Sequence, residues 1–248
     1  MTIDIHTHLG AVRSSYQDVN EEDVSEHADN LVQRMDGFGI TKAVLTPLEP
    51  WISTDKYMQA AAIYPDRLLS ACSIIPRPIE FARKEIHRYS DEGCRALVLD
   101  ERSYHPADPA TMALVEEAVD NQLALFLHNH EMTVDTITFI DRISQIHEDG
   151  KFVVLHMGSL FGFHNLIPLM QRENIWLETS VTLIKLVESP LRVFLDALVQ
   201  DVGVRRLVFG SDHFTDYADL MAALNMMNLN IETSKVIREL NAKQILGL

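Results

Sequence analysis

Four short stretches of this 248-residue chain gather imidazole and carboxylate groups: Asp4-Ile5-His6-Thr7-His8, His128-Asn129-His130, His156-Met157-Gly158 and Ser211-Asp212-His213. Residues two apart on a strand share a face, so His6 and His8 can grip one ion together, with Asp4 below them able to orient a ring. Adding His128 and Asp212 completes a nitrogen and oxygen set suited to zinc and other borderline divalent ions. The expected ligands are therefore His6, His8, His128 and Asp212. Spacing alone leaves His156 open, as a ligand, as a neutral hydrogen-bonding group beside the ion, or as a buried structural histidine. His130 and His213 lie one or two residues further on and are expected around the site.

Each of these stretches ends a short apolar run, and the runs recur. Candidate strands are Ile3 to His6, Lys42 to Thr46, Leu68 to Ile74, Arg95 to Asp100, Ala124 to His128, Phe152 to His156, Trp176 to Thr179 and Arg206 to Gly210. Amphipathic segments separate them. Helices are expected over Asp23 to Phe38, Pro78 to Tyr89, Pro109 to Gln122, Met132 to His147, Leu166 to Gln171, Leu183 to Gln200, Asp219 to Met227 and Thr233 to Leu246. Gly39 closes the first, and proline opens the second and third. Strand followed by helix is the pattern of parallel sheet. Eight units at about 31 residues each predict a single-domain α/β fold over residues 1–248, a (β/α)8 TIM barrel. An open doubly wound sheet would instead carry a Gly-rich phosphate loop after its first strand, where this chain has His-Thr-His. In a barrel the strands' C-terminal ends meet on one face, which is where all four histidine-bearing stretches fall.

Composition narrows the partners. With 36 acidic against 21 basic residues, the net charge of -15 opposes the phosphate contacts of nucleic-acid and anionic-membrane binding. A small-molecule substrate is expected, with a homo-oligomer compatible. The start, MTIDIHTHLG, lacks the basic and apolar regions of a signal peptide, and no apolar run has membrane-spanning length, so the reading is a soluble cytoplasmic protein. Cys72 and Cys94 are expected as buried reduced thiols.

The order of His6, His8, His128, His156 and Asp212, with VVLHMGS (153–159), WLETS (176–180), RRLVFGSDHF (205–214) and NAKQILGL (241–248), resembles the amidohydrolase superfamily. Within it, the resemblance is to the amidohydrolase-related branch around aminocarboxymuconate-semialdehyde decarboxylase. It implies a distorted barrel with one zinc-like ion on His6, His8 and His128, Asp212 as further ligand or neighbouring base, and His156 working on the substrate or its water. One Zn2+ per chain is expected, with Mn2+, Fe2+ or Co2+ as alternatives. The fourth strand ends in Leu97-Val98-Leu99-Asp100, without the lysine of two-metal relatives, which favours a mononuclear site; Asp100 is the one candidate for holding a second ion.

The chemistry so implied is hydrolysis of a small amide, lactone or cyclic acyl substrate, with Asp212 and His156 catalytic. The alternatives are a metal-dependent lyase, decarboxylase or hydratase, on a small unsaturated or aromatic carboxylic acid, and a non-catalytic metal-binding barrel. A decarboxylase needs a cation for its carboxylate, for which Arg77 and Arg102 are candidates. Trp51, Tyr104, His105, His130, Phe161 and Phe163 are candidate pocket walls.

Overall fold

The computed structural model describes residues 1–10 and 23–248. Ten strand segments occur among them: β1 (Thr2–His8), β2 (Ile40–Leu45), β3 (Leu68–Ser70), β4 (Cys72–Ser73), β5 (Ala96–Asp100), β6 (Ala124–His128), β7 (Phe152–Val154), β8 (Ile175–Glu178), β9 (Leu207–Val208) and β10 (Asp212–His213). They form two parallel sheets, in the orders β10-β1-β2-β3 and β4-β5-β6-β7-β8-β9. Every residue of β1, β5, β6 and β8 is buried, as expected of strands covered on both faces by helices or by the barrel interior.

The eight expected strands are present, two of them broken. Leu68 to Ile74 divides at Ala71, whose N–H donates to Leu45 O at 2.9 Å, while Ser70 O accepts from Arg95 N at 2.9 Å. One strand thus changes partners, β3 facing β2 and β4 facing β5. The last strand, expected over Arg206 to Gly210, is shortened to β9, and the chain beyond it changes partners as β10. Phe209 O accepts from Ile5 N at 3.1 Å and Ser211 N donates to His6 O at 3.0 Å, so β9 stays with β8 while β10 crosses to β1. These two handovers close a distorted (β/α)8 barrel.

Helices depart from expectation in four places, one of them Leu166 to Gln171, which runs as a short helix over Phe163–Leu166 and a tighter 3-10 turn over Ile167–Gln171. Thr54–Ile63 is an additional helix between β2 and β3; its Ala-rich, weakly amphipathic sequence conceals it. The expected Leu183 to Gln200 helix is two, Thr182–Val187 and Arg192–Asp201, because Pro190 lacks the N–H that would carry the ladder through. The closing helix runs as Ile231–Lys235, Val236–Leu240 and Asn241–Leu246 with a π turn in the middle. No helix among the described residues is long and apolar enough to cross a membrane. Cys72 and Cys94 are buried free thiols.

Candidate metal centre

The strand register brings the site together. β1 pairs Thr7 with Asp212 and His8 with His213, and β5 pairs Asp100 with His128. His6, His8 and Asp212 are all buried, and each offers a ligand atom within 4.8 Å of the others'. Asp212 Oδ1 lies 3.8 Å from His6 Nε2, 3.7 Å from His8 Nε2 and 3.8 Å from His156 Nε2, and the two Nε2 atoms of His6 and His8 are 3.4 Å apart. Four tetrahedral ligands at about 2.0–2.1 Å from a zinc ion sit about 3.3 Å from one another, so the donor set fits a divalent cation in type and in spacing. His128 stands one ring further out, its centroid 6.4 Å from His6 and 5.1 Å from His156.

His156 is not on a strand, as the sequence suggests it would be. β7 ends at Val154, and His156 and Met157 lie in a tight turn with left-handed φ of 54° and 51°. That conformation is uncommon outside glycine and is held by the surroundings. The His156 N–H donates to Glu178 Oε2 at 3.0 Å.

Glu178 is the residue that sequence reasoning passed over. Wholly buried at the end of β8, it also accepts from His6 Nδ1 at 3.1 Å and from Ser180 Oγ at 2.8 Å. A signal existed, since an acid in the otherwise apolar, fully buried run Ile175–Glu178 must be paired with something. Asp4 does not orient a ring as expected: it accepts from Ser211 Oγ at 2.7 Å, Tyr217 OH at 2.9 Å and the backbone His6 N–H at 3.2 Å, and the His6 ring is held by Glu178 instead. Asp100 accepts from His128 Nδ1 at 3.1 Å and from Arg102 Nη2 at 2.6 Å and Nε at 2.8 Å. It orients His128 and is already engaged by a guanidinium, which does not suit a second ion.

Burial sets the electrostatics. It pushes Asp4 up to about 7 against the pull of its Ser211 and Tyr217 bonds, and it pushes His8 down to about 3, helped by neighbouring His6. Burial also takes His156 well below the usual imidazole range, against the opposing charge of Asp212. For His6, burial works against the proton, but the Glu178 bond and the charges of Glu178 and Asp212 outweigh it and raise the ring. Burial of Asp100 is likewise overcome, by Arg102 and His128, which hold that carboxyl below its ordinary range.

Above the histidines opens a cavity of about 270 Å³ whose walls include His8, Leu48, Arg102, Asn129, Leu160, Val181 and Lys185. Of the expected wall residues, Arg102 and His130 line it. Trp51 lies under Arg102, its ring centroid 3.9 Å from the guanidinium carbon. The others are elsewhere. Arg77 pairs on the surface with Asp108 at 2.7 Å, Phe161 is 77% exposed, and Phe163 is buried in the core. Tyr104 and His105 belong to a neighbouring depression, where Tyr104 OH donates to Asn129 Oδ1 at 2.9 Å. Loop side chains after a strand have no periodicity to fix their direction, whereas strand-end residues do. Lys185, on the helix after β8, was not anticipated; it makes no ion pair among the described residues.

A family model described as amidohydrolase matches residues 3–227. The chain belongs to the amidohydrolase family. No curated protein matches it. Among solved structures it is similar to a probable 2-pyrone-4,6-dicarboxylic acid hydrolase from Acinetobacter baumannii, with citric acid bound (TM-score 0.75, 15% identity, 100% of this chain and 99% of that one). It is also similar to 4-oxalomesaconate hydratase from Rhodopseudomonas palustris (0.72, 15%, 100% and 96%). A third is 5-carboxyvanillate decarboxylase from Novosphingobium aromaticivorans, complexed with manganese and a nitrobenzoic acid (0.69, 18%, 88% and 80%). At these identities the likeness establishes the shared barrel, and the three proteins span three reaction types.

Proposed function

We propose that this amidohydrolase-family chain is a metal-dependent hydrolase of a small amide, lactone or cyclic acyl compound. The observation that carries the reading is the place of Asp212, whose Oδ1 lies 3.7–3.8 Å from the Nε2 atoms of His6, His8 and His156 at the floor of the cavity. His6, His8 and Asp212 would hold the ion, with His128 closing the set from the rim; zinc is the proposed metal, and manganese, iron or cobalt fit the same donors. A bound divalent ion supplies Lewis acidity, polarising an acyl oxygen and bringing the pKa of water towards about 7. The carboxylate of Asp212, which lines the cavity, takes the proton of the attacking water and returns it to the leaving group. His156 borders the same space and works on the substrate or its water through its ring. Leu48, Leu160 and Val181 shed water from the substrate's body.

One observation favours a second reading, a lyase acting on a small carboxylic acid. Lys185, which makes no ion pair among the described residues, lines the same cavity as Arg102, and the two cations would seat a substrate carboxylate. Incubation of the metal-loaded protein with lactones, cyclic amides and aromatic or enoic acids in oxygen-18 water decides between them. Hydrolysis places one heavy oxygen in the new carboxylate. Release of carbon dioxide, or addition of water across a double bond, with no label in a carboxylate would overturn the hydrolase reading in favour of the lyase.

A further inference from the structure

We infer that Glu178, directly and through the hydroxyl of Ser180, fixes which ring nitrogen is bare on both His6 and His156, so that both lone pairs point at the metal site. Glu178 touches neither ion nor substrate in this reading; it is a positioning residue, and the inference rests on His6 being a ligand.

The argument is one of donor and acceptor bookkeeping. A carboxylate can only accept, so the 3.1 Å contact between His6 Nδ1 and Glu178 Oε2 puts the proton on His6 Nδ1 and leaves Nε2 bare. That Nε2 is the atom 3.4 Å from His8 Nε2 and 3.8 Å from Asp212 Oδ1. Ser180 has one hydroxyl proton, which it gives to Glu178 Oε2 at 2.8 Å. Ser180 Oγ also lies 2.8 Å from His156 Nδ1, and with its proton spent it can only accept there. His156 therefore carries its proton on Nδ1 too, and its bare Nε2 faces Asp212 Oδ1 at 3.8 Å. Glu178 also receives the His156 N–H at 3.0 Å, which pins the left-handed turn that aims the ring. One buried carboxylate thus serves two imidazoles, one on β1 and one in the turn after β7. In the neutral ring, His156 then meets the substrate as a proton acceptor or a ligand and not as a hydrogen-bond donor.

Nitrogen-15 histidine spectra read the tautomers directly, and they need no substrate, so their outcome is separate from that of the hydrolase reading. In the metal-free wild type both His6 and His156 should carry the proton on Nδ1. Ser180→Ala should lose that signature at His156 alone, leaving His6 and the zinc dissociation constant within about twofold of wild type. Glu178→Gln should lose it at both rings, weaken zinc by about 10–100-fold in chelator competition, and alter the visible spectrum of the cobalt-substituted protein. A wild-type His156 protonated on Nε2, or a folded Glu178→Gln with unchanged tautomers and zinc affinity, overturns the inference.

Discussion

Gly210 tests how tightly the metal centre depends on the carboxylate behind it. Its φ is not in the left-handed region, so glycine is needed here for size. A Cβ at this position would lie 2.5 Å from Glu178 Oε1, 2.6 Å from its Cγ and 2.7 Å from its Cδ. Ordinary contact begins near 3.5 Å, so in Gly210→Ala the Glu178 side chain must retreat by about 1 Å, and its 2.8–3.1 Å bonds to Ser180, His156 and His6 cannot all survive. Overpacking of this kind costs about 1–3 kcal/mol, or roughly 2–12 °C in Tm for a chain of this size. Loss of a carboxylate that orients a ligand weakens metal binding by about 10–100-fold. Calorimetry of the metal-free protein with chelator competition for zinc measures both. Gly37→Ala is the control: nothing lies within 4 Å of its Cβ, and Gly37 sits inside the helix Val24–Phe38, where alanine should raise stability by about 0.5–1 kcal/mol. A Gly210→Ala protein that melts lower but binds zinc as tightly as wild type would refute the coupling between this packing contact and the metal centre.

Purified protein should carry about one equivalent of divalent metal per chain, and His6→Ala and His8→Ala should each lose it while keeping the barrel's circular dichroism; full retention of metal in both variants counts against the assigned ligands. Asp212→Asn should lose turnover far more completely than metal, because a neutral amide oxygen can still coordinate weakly but cannot take the proton. His156→Asn should keep metal near wild-type stoichiometry and lose roughly a hundred- to ten-thousandfold in kcat, as for the loss of a positioned proton acceptor; if it strips the metal while Asp212→Asn stays active, the two roles are exchanged. In metal-free protein, folded His8 stays neutral down to about 3 while the unfolded ring takes a proton near 6.5, so the native state binds fewer protons across that window. Wild type should accordingly lose stability relative to His8→Gln as pH falls below about 6.5, seen as converging urea midpoints between pH 7.5 and pH 4. Parallel midpoints over that range would show that burial does not hold His8 neutral.

The barrel, its eight strand-helix units and the convergence of His6, His8 and Asp212 were legible in the sequence. Strand ends inherit their direction from a two-residue period, and an apolar run followed by an amphipathic segment has few other ways to bury its surface. That reasoning did not reach Glu178, the orienting role of Asp100, Lys185 or the left-handed turn at His156, and it placed Arg77, Tyr104 and Phe161 at a wall they do not form. Those features depend on what lies across the barrel. Glu178 meets His6 from a strand 172 residues away, and Gly210 is small because Glu178 fills the space beside it. Local periodicity tells which face a residue takes. Only closure of the barrel decides which residues from distant strands share that face, and therefore which proton sits on which nitrogen.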